Sequence, residues 1–256
     1  MSVVDDIATE LHAVGVMPGG VLLVHASLKA LGAIDGGPLS VIAGLAQAVG
    51  PLGTLLMPTL TYDLTHAPDP CFDQRRTPSI VGALTEVFRQ LPGVRRSLQP
   101  THSVAGHGPA FDDLVVDHLD DPTPCGRHSP FHRLLFRDDA QVLFLGCGLR
   151  PNTCMHAVEE LLPTPYIFDA TVKYRVIGAD GAEQHRTICA YGFRRHGLQQ
   201  RYDRLAECLQ GNEWRRGRVR AAEVDLVMAS AIRRRGLERL RQDPYAFVEP
   251  KALSSG

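Results

Sequence analysis

The stretch Gln141 to Glu160 reads Q-V-L-F-L-G-C-G-L-R-P-N-T-C-M-H-A-V-E-E. It opens with the apolar run Val142 to Leu145, breaks at Gly146 and Gly148, turns over Pro151 and Asn152, and resumes in a helix-compatible pattern. A buried strand feeding a helix through a Gly-rich turn is the natural reading. Asn152 or Thr153 can cap the helix through its side chain, which places His156 in the first turns. Glu159 and Glu160 follow at i+3 and i+4, so either can share a face with His156. An imidazole beside a carboxylate at the C-terminal end of a strand suits a general base. The same spacing also describes a plain solvated helix face.

Working outward, the N-terminal part repeats the alternation. Ile7, Leu11 and Val14 recur at helical spacing before Gly15, and Val21 to Val24 then reads as a short buried strand. The loop His25 to Gly32 follows, with a hydroxyl at Ser27 and a cation at Lys29; neither a P-loop nor G-x-G-x-x-G is present. Pro38 to Val49 reads as a helix and Thr54 to Met57 as a strand. A long polar loop from Pro58 to about Thr77 carries Asp63, Asp69 and Asp73, which can meet a cationic ligand.

Pro78 suits the first turn of a helix over Ser79 to Gln90, ended by Pro92-Gly93. The segment Val94 to Gly108 lacks helical periodicity but is dense in basic, hydroxyl and imidazole groups. In it Arg95 and Arg96 can hold phosphates, and His102 is a second candidate base. Pro109 to His118 reads as a helix and Asp120 to Phe131 as a turn-rich loop. Ala170 to Ile177 and Gln184 to Tyr191 read as a hairpin, and the chain from His196 onward as helical with arginine-rich faces. No repeat or clear linker interrupts the pattern, so one compact α/β domain over 1–256 is expected.

Composition narrows the function class. The 256 residues are 44% hydrophobic and 21% charged, with a net charge of −1, which suits a globular protein and gives no basis for binding nucleic acid or membrane. Acids near the start, where a signal peptide carries basic residues, lead to the expectation of a cytoplasmic protein. The six cysteines form no C-x-x-C pair and read as reduced thiols. Neither Cys154 with His156 nor His185 with Cys189 has a second half at zinc spacing, so no metal is expected.

Taken together, H-A-S-L-K-A-L-G, G-T-L-L-M-P-T-L-T, F-D-Q-R-R-T-P-S-I-V-G-A-L-T-E-V-F-R, R-S-L-Q-P-T-H-S-V-A and N-T-C-M-H-A-V-E resemble the aminoglycoside 3-N-acetyltransferases from about Val21 to Glu160. The resemblance implies an α/β fold with a central mixed sheet, flanking helices and a helical C-terminal region, distinct from the common acetyltransferase fold. It implies acetyl-CoA as donor and a 2-deoxystreptamine aminoglycoside as acceptor; a homodimer is one open option that the sequence does not decide. His156 matches the family's general base, Thr153 its hydroxyl and Glu159 its following acid. The segments Ser27, Leu28, Lys29, Ala30, Leu31, Gly32 and His102, Ser103, Val104 match loops that line the coenzyme. Gln99 stands where the family often has His, and His128 where it often has Asn, departures that bear on the acceptor rather than on the reaction.

The chemistry fits that role. A neutral His156 can take the proton an amine must lose to attack a thioester, the nearby acid can fix its tautomer, and the Thr153 hydroxyl or a backbone N–H can hold the oxyanion. For a polycationic acceptor on a near-neutral chain, carboxylates must be gathered locally, and Asp63, Asp69, Asp73 and Glu159 are the candidates. Cys154 lies two residues before His156, about 200° away around a helix, so direct transfer in a ternary complex is expected rather than an acyl-cysteine. The other readings are a transferase for a different primary amine and a coenzyme-binding scaffold without turnover.

Overall fold

The computed structural model describes residues 2–251; residue 1 and residues 252–256 of the expected domain lie outside the described residues. In chain order the elements are α1 (Val3–Val14), β1 (Val21–Ala26), α2 (Gly37–Val49), β2 (Thr54–Pro58), β3 (Cys71–Asp73), α3 (Ala83–Phe88), β4 (Arg95–Arg96), β5 (Val104–His107), α4 (Phe111–Val115) and α5 (Pro130–Leu134). They continue with β6 (Ala140–Leu145), α6 (Cys154–Leu161), β7 (Phe168–Ile177), β8 (Glu183–Tyr191), β9 (Leu198–Gln200), β10 (Trp214–Val219), β11 (Ala222–Met228), α7 (Ala229–Gln242) and β12 (Val248–Pro250).

Seven strands form a mixed sheet in the order β10-β11-β6-β1-β2-β5-β4. Its centre is parallel: β1 pairs with β6 over Val21↔Ala140 to Ala26↔Leu145, and with β2 from Val21↔Thr54. The outer strands run antiparallel to their neighbours. Every residue of β2 and β6 is buried, because helices cover both faces, and this is why these strands read as unbroken apolar runs.

One face packs Leu22, Leu55, Leu143 and Leu226 against Ile7, Leu11, Val41 and Leu45 of α1 and α2. The other packs Leu23, Leu56, Val142 and Phe144 against Phe131, Met155, Val158 and Ile232 of α5, α6 and α7. The expected hairpin forms from β7 and β8, with β3 as its third strand. Among the described residues no helix is long and apolar enough to cross a membrane.

The loop expected from Pro58 to about Thr77 contains the short strand β3, which pairs with β7, and three expected helices differ. The chain after His196 is not helical until Ala229: residues 198–228 form β9, two short 3-10 turns and the β10–β11 hairpin. The cause lies in the period, since Ala222, Val224 and Leu226 are buried at every second position while Glu223 points outward, a strand pattern that the arginines around it obscure. The helix expected over Ser79 to Gln90 shrinks to Ala83–Phe88, because Gly82 takes φ 114 just before it and leaves Pro78 outside. The helix expected over Pro109 to His118 ends at Val115, ahead of Asp117 with φ 60.

The turn out of β6 depends on two glycines with positive φ, Gly146 at 71° and Gly148 at 61°. A Cβ at Gly146 would also lie 2.4 Å from the Ala30 Cβ, whereas one at Gly148 would meet nothing within 4 Å. Gly146→Ala is therefore expected to cost roughly 2–4 kcal/mol and Gly148→Ala about 1 kcal/mol, the difference being steric overlap on top of left-handed strain. Urea denaturation of the two variants checks this, and equal losses would mean that the close approach to Ala30 carries no weight.

Candidate functional site

Because β1, β2 and β6 are parallel and in register, His25-Ala26, Pro58 and the Gly146 turn emerge side by side at one edge of the sheet. That edge, beyond the carboxyl ends of parallel strands, is where open α/β sheets bind ligands. Two cavities of ≈ 690 and ≈ 780 Å³ meet there, sharing Leu60, Tyr62, His156, Phe193, Arg194 and Gln200 in their walls. His156 thus faces both.

The chain from Thr153 turns directly into α6, with His156 and Glu159 one turn apart. The expected capping does not occur: Thr153 occupies the cap position without a side-chain cap bond, and both amide atoms of the buried Asn152 lack partners. Both residues instead line the first cavity.

Glu159 is fully buried, yet accepts hydrogen bonds from the hydroxyls of Tyr166 (2.8 Å) and Tyr202 (2.7 Å). The Tyr202 oxygen lies 2.8 Å from Nδ1 of His156, whose separation from Glu159 Oε2 is 3.5 Å. A phenol has one hydrogen. When Glu159 is ionised and takes that hydrogen, the Tyr202 oxygen accepts from Nδ1–H, and Nε2 keeps its lone pair. In that state of Glu159, His156 has the tautomer a general base requires.

Burial sets the electrostatics. It lowers His156 to about 3 and raises Glu159 to about 8, the latter against the pull of its two phenol donors. The imidazole is therefore neutral across the physiological range. A proton accepted at Nε2 would produce a cation beside Glu159, so the two groups titrate as a coupled pair. Tyr191 stacks on the His156 ring at 4.5 Å and 24°, and His102 meets it edge-on at 5.5 Å.

The other expected site residues are placed as follows. His102 lines the second cavity, its Nδ1 bonded to Thr101 Oγ1 at 2.9 Å, and burial holds it well below the usual histidine range. Ser103 and Val104 face the sheet interior, the Ser103 hydroxyl donating to the Thr59 carbonyl (2.7 Å) and accepting from Arg96 (2.9 Å). Arg96 is not a phosphate holder: it is buried over the Phe72 ring and donates to the carbonyls of Thr59 and Thr77. Arg95 pairs with Asp112.

In the loop Ser27 to Gly32, Leu28–Leu31 is a 3-10 turn, and the wall of the first cavity is made by the preceding His25 and Ala26. Ser27, Lys29 and Gly32 lie outside that wall, and Leu31 is in the core. Asp63, Asp69 and Asp73 do not gather in either cavity; Asp63 and Asp69 are exposed, and Asp73 accepts the N–H groups of Arg75 and Arg76 in a local turn. Glu159 lies behind His156, where an acceptor cannot reach it. Burial raises the thiol of Cys147 to about 12 and raises Cys154 as well, so neither is a ready thiolate. Among the described residues no group of three or more His, Cys, Asp or Glu is placed to hold a metal.

Sequence reasoning missed Tyr202, Tyr166, Tyr191, His25 and Asn152. The tyrosines carry no local signal, since Tyr202 meets His156 across 46 positions of chain.

These buried groups give stability a pH dependence of definite sign. His25 and His118 are also lowered to about 3 by burial, joining His156 and His102. Below about 6.5 the unfolded chain takes up protons that these folded imidazoles refuse, so each removes up to about 1.4 kcal/mol of stability per pH unit. Glu159 acts oppositely: held at about 8 against an ordinary value of 4.5, it binds a proton in the fold that the unfolded chain releases, so its contribution declines as pH rises through that window. The four histidines outweigh it at pH 6.5, so the melting temperature is expected to peak near pH ~7 and fall on both sides, most steeply on the acid side. Calorimetry from pH 5 to 8.5 measures this, and a melting point still climbing at pH 8 would contradict the buried Glu159.

Comparison with known proteins identifies the family. The profile of the aminoglycoside 3-N-acetyltransferase family matches residues 23–241. Aminoglycoside N(3)-acetyltransferase IV of Salmonella sp. is 31% identical over 94% of this chain and 88% of its own length. Aminoglycoside N(3)-acetyltransferase III of Serratia marcescens is 31% identical over 71% of this chain and 72% of its own. The crystal structure of the AAC(3)-IVa apoenzyme superposes with a TM-score of 0.80 at 30% identity, covering 95% of this chain and 90% of that one. The AAC-IIIb binary complex with CoASH superposes at 0.79 and 28% identity, covering 94% and 97%. The chain belongs to the aminoglycoside 3-N-acetyltransferase family, a family of acyltransferases.

Proposed function

We propose that this protein transfers an acetyl group from acetyl-CoA to the 3-amino group of a 2-deoxystreptamine aminoglycoside, conferring resistance to the drug, by direct attack in a ternary complex with His156 as general base. The observation that carries the reading is the position of His156 at the junction of two cavities, with Nδ1 tied to Tyr202 and Nε2 left to accept a proton. Two separate substrates can approach one base, one from each cavity. Solved relatives include AAC-IIIb with CoASH and a mutant AAC(3)-IVa with a gentamicin, which supports the same pair of substrates here.

The first cavity suits the donor. Arg150, Arg194 and Lys251 offer cations for phosphates, while the unpartnered His25 Nε2 and the Asn152 amide offer the donor and acceptor groups that a pantetheine arm requires. The acceptor then occupies the second cavity. His156 Nε2 removes the proton from the attacking amine as the new N–C bond forms. Thr153, whose hydroxyl is not spent on capping, stabilises the oxyanion. On collapse the C–S bond breaks, and the imidazolium returns its proton to the departing sulfur, giving the amide and free thiol.

The second reading, a different primary amine as acceptor, is favoured by one observation. Among the described residues the only carboxylate in the wall of the acceptor-side cavity is Asp169, held 3.0 Å from Arg195, and Arg194 and Arg195 line the same wall. A polycation finds little attraction in such a lining.

The functional tests separate these statements. His156→Ala is expected to lower kcat by roughly two to four orders of magnitude with little change in the KM for acetyl-CoA, and Tyr202→Phe by about 10- to 100-fold through the lost hydrogen bond to Nδ1. Near-normal turnover of His156→Ala would move the base to His102. The double variant Cys147→Ser, Cys154→Ser should keep most of its activity and give intersecting initial-rate plots; parallel plots with a trapped acetyl-thioester would replace direct transfer by a covalent route. Thiol release against a panel of aminoglycosides and monoamines, with products mapped by NMR, decides the acceptor, and turnover confined to monoamines would favour the second reading.

A further inference from the structure

Glu159 has a neighbour with a parallel arrangement. Glu160, one position further along α6, is largely buried and turned away from the first relay. Its carboxylate accepts from the Thr123 hydroxyl (2.5 Å), the Cys125 backbone N–H (3.0 Å) and the Tyr191 hydroxyl (2.7 Å). Burial pushes this carboxyl up, whereas three donors converging on two oxygens favour its ionised form. The Tyr191 ring so oriented is the one that stacks on His156 at 4.5 Å and 24°, with His102 edge-on to it at 5.2 Å.

We propose that Glu160 and Tyr191 form a second support for His156, acting as positioning residues through the face of the imidazole as Glu159 and Tyr202 act through its edge. The ring face of a phenol is electron-rich, and more so when its hydroxyl donates to a carboxylate; a cation over that face is attracted to it. As His156 becomes imidazolium, the stacked Tyr191 ring stabilises the charge. Glu160 holds the ring parallel and ties it to the Thr123–Cys125 loop. The consecutive carboxylates of one helical turn thus reach one imidazole through two different tyrosines.

This rests on the reading of His156 as general base, and a double-mutant cycle tests it with the acceptor that the wild-type enzyme turns over. Tyr191→Phe, which keeps the ring and loses one oxygen, and Glu160→Gln are each expected to lower kcat roughly 3- to 30-fold with the KM for acetyl-CoA unchanged. The double variant should be no slower than the slower single one, because both remove one coupled unit. Tyr191→Leu, which removes the face altogether, should lose more than Tyr191→Phe. A Glu160→Gln enzyme with a lowered melting point and unchanged kcat would make Glu160 a loop clamp only, and effects that multiply would break the coupling; either overturns the proposal while leaving the base in place. Turnover by His156→Ala at the wild-type rate would remove the base itself, and this support with it.

Discussion

A carboxyl group with no exposed surface must find hydrogen-bond partners inside the protein, and Glu159 finds them in two tyrosines from distant parts of the chain. Much else follows from that requirement. Tyr166 precedes the β7–β8 hairpin and Tyr202 follows β9, so satisfying Glu159 ties both segments to α6. The hydrogen left over from this arrangement is the one on Nδ1 of His156, and its placement decides which imidazole nitrogen faces substrate. Stability and tautomer choice are here one hydrogen-bond network.

The parallel centre of the sheet supplies the place for that network. Strands that start together in register also end together, so the carboxyl ends of β1 and β6 and the following turns converge on one edge. Helices on both faces exclude water from the strands, and at the edge the same exclusion lowers the buried histidines and raises the buried acids. The two cavities inherit different chemistry from their walls. The first combines cations with unpartnered amide and imidazole groups, and the second is aromatic with an Asp169–Arg195 pair.

The linear order of residues determined a good deal by itself. Unbroken apolar runs at Val21 to Val24 and Val142 to Leu145 identify strands covered on both faces, Gly146 and Gly148 mark a turn needing positive φ, and the spacing of His156 and Glu159 puts an imidazole and a carboxylate on one helical turn. These are short-range facts of period and steric freedom. The family motifs lie in the same local segments. The period-2 spacing of Ala222, Val224 and Leu226 is a short-range signal too, but the arginines around it mask it and read as a helix face.

Only the tertiary structure decided what each acid does. Glu159 and Glu160 look interchangeable in sequence, yet one reaches the edge of His156 through Tyr202 and the other its face through Tyr191, because the partners arrive from 43 and 31 residues away. Asp63, Asp69 and Asp73, which charge alone made attractive, sit outside the cavities, and Asp169 lies within one. Period and propensity act over a few residues, whereas hydrogen-bond partners and cavity walls are set by which distant segments pack together; the sequence carries that choice only through the whole fold.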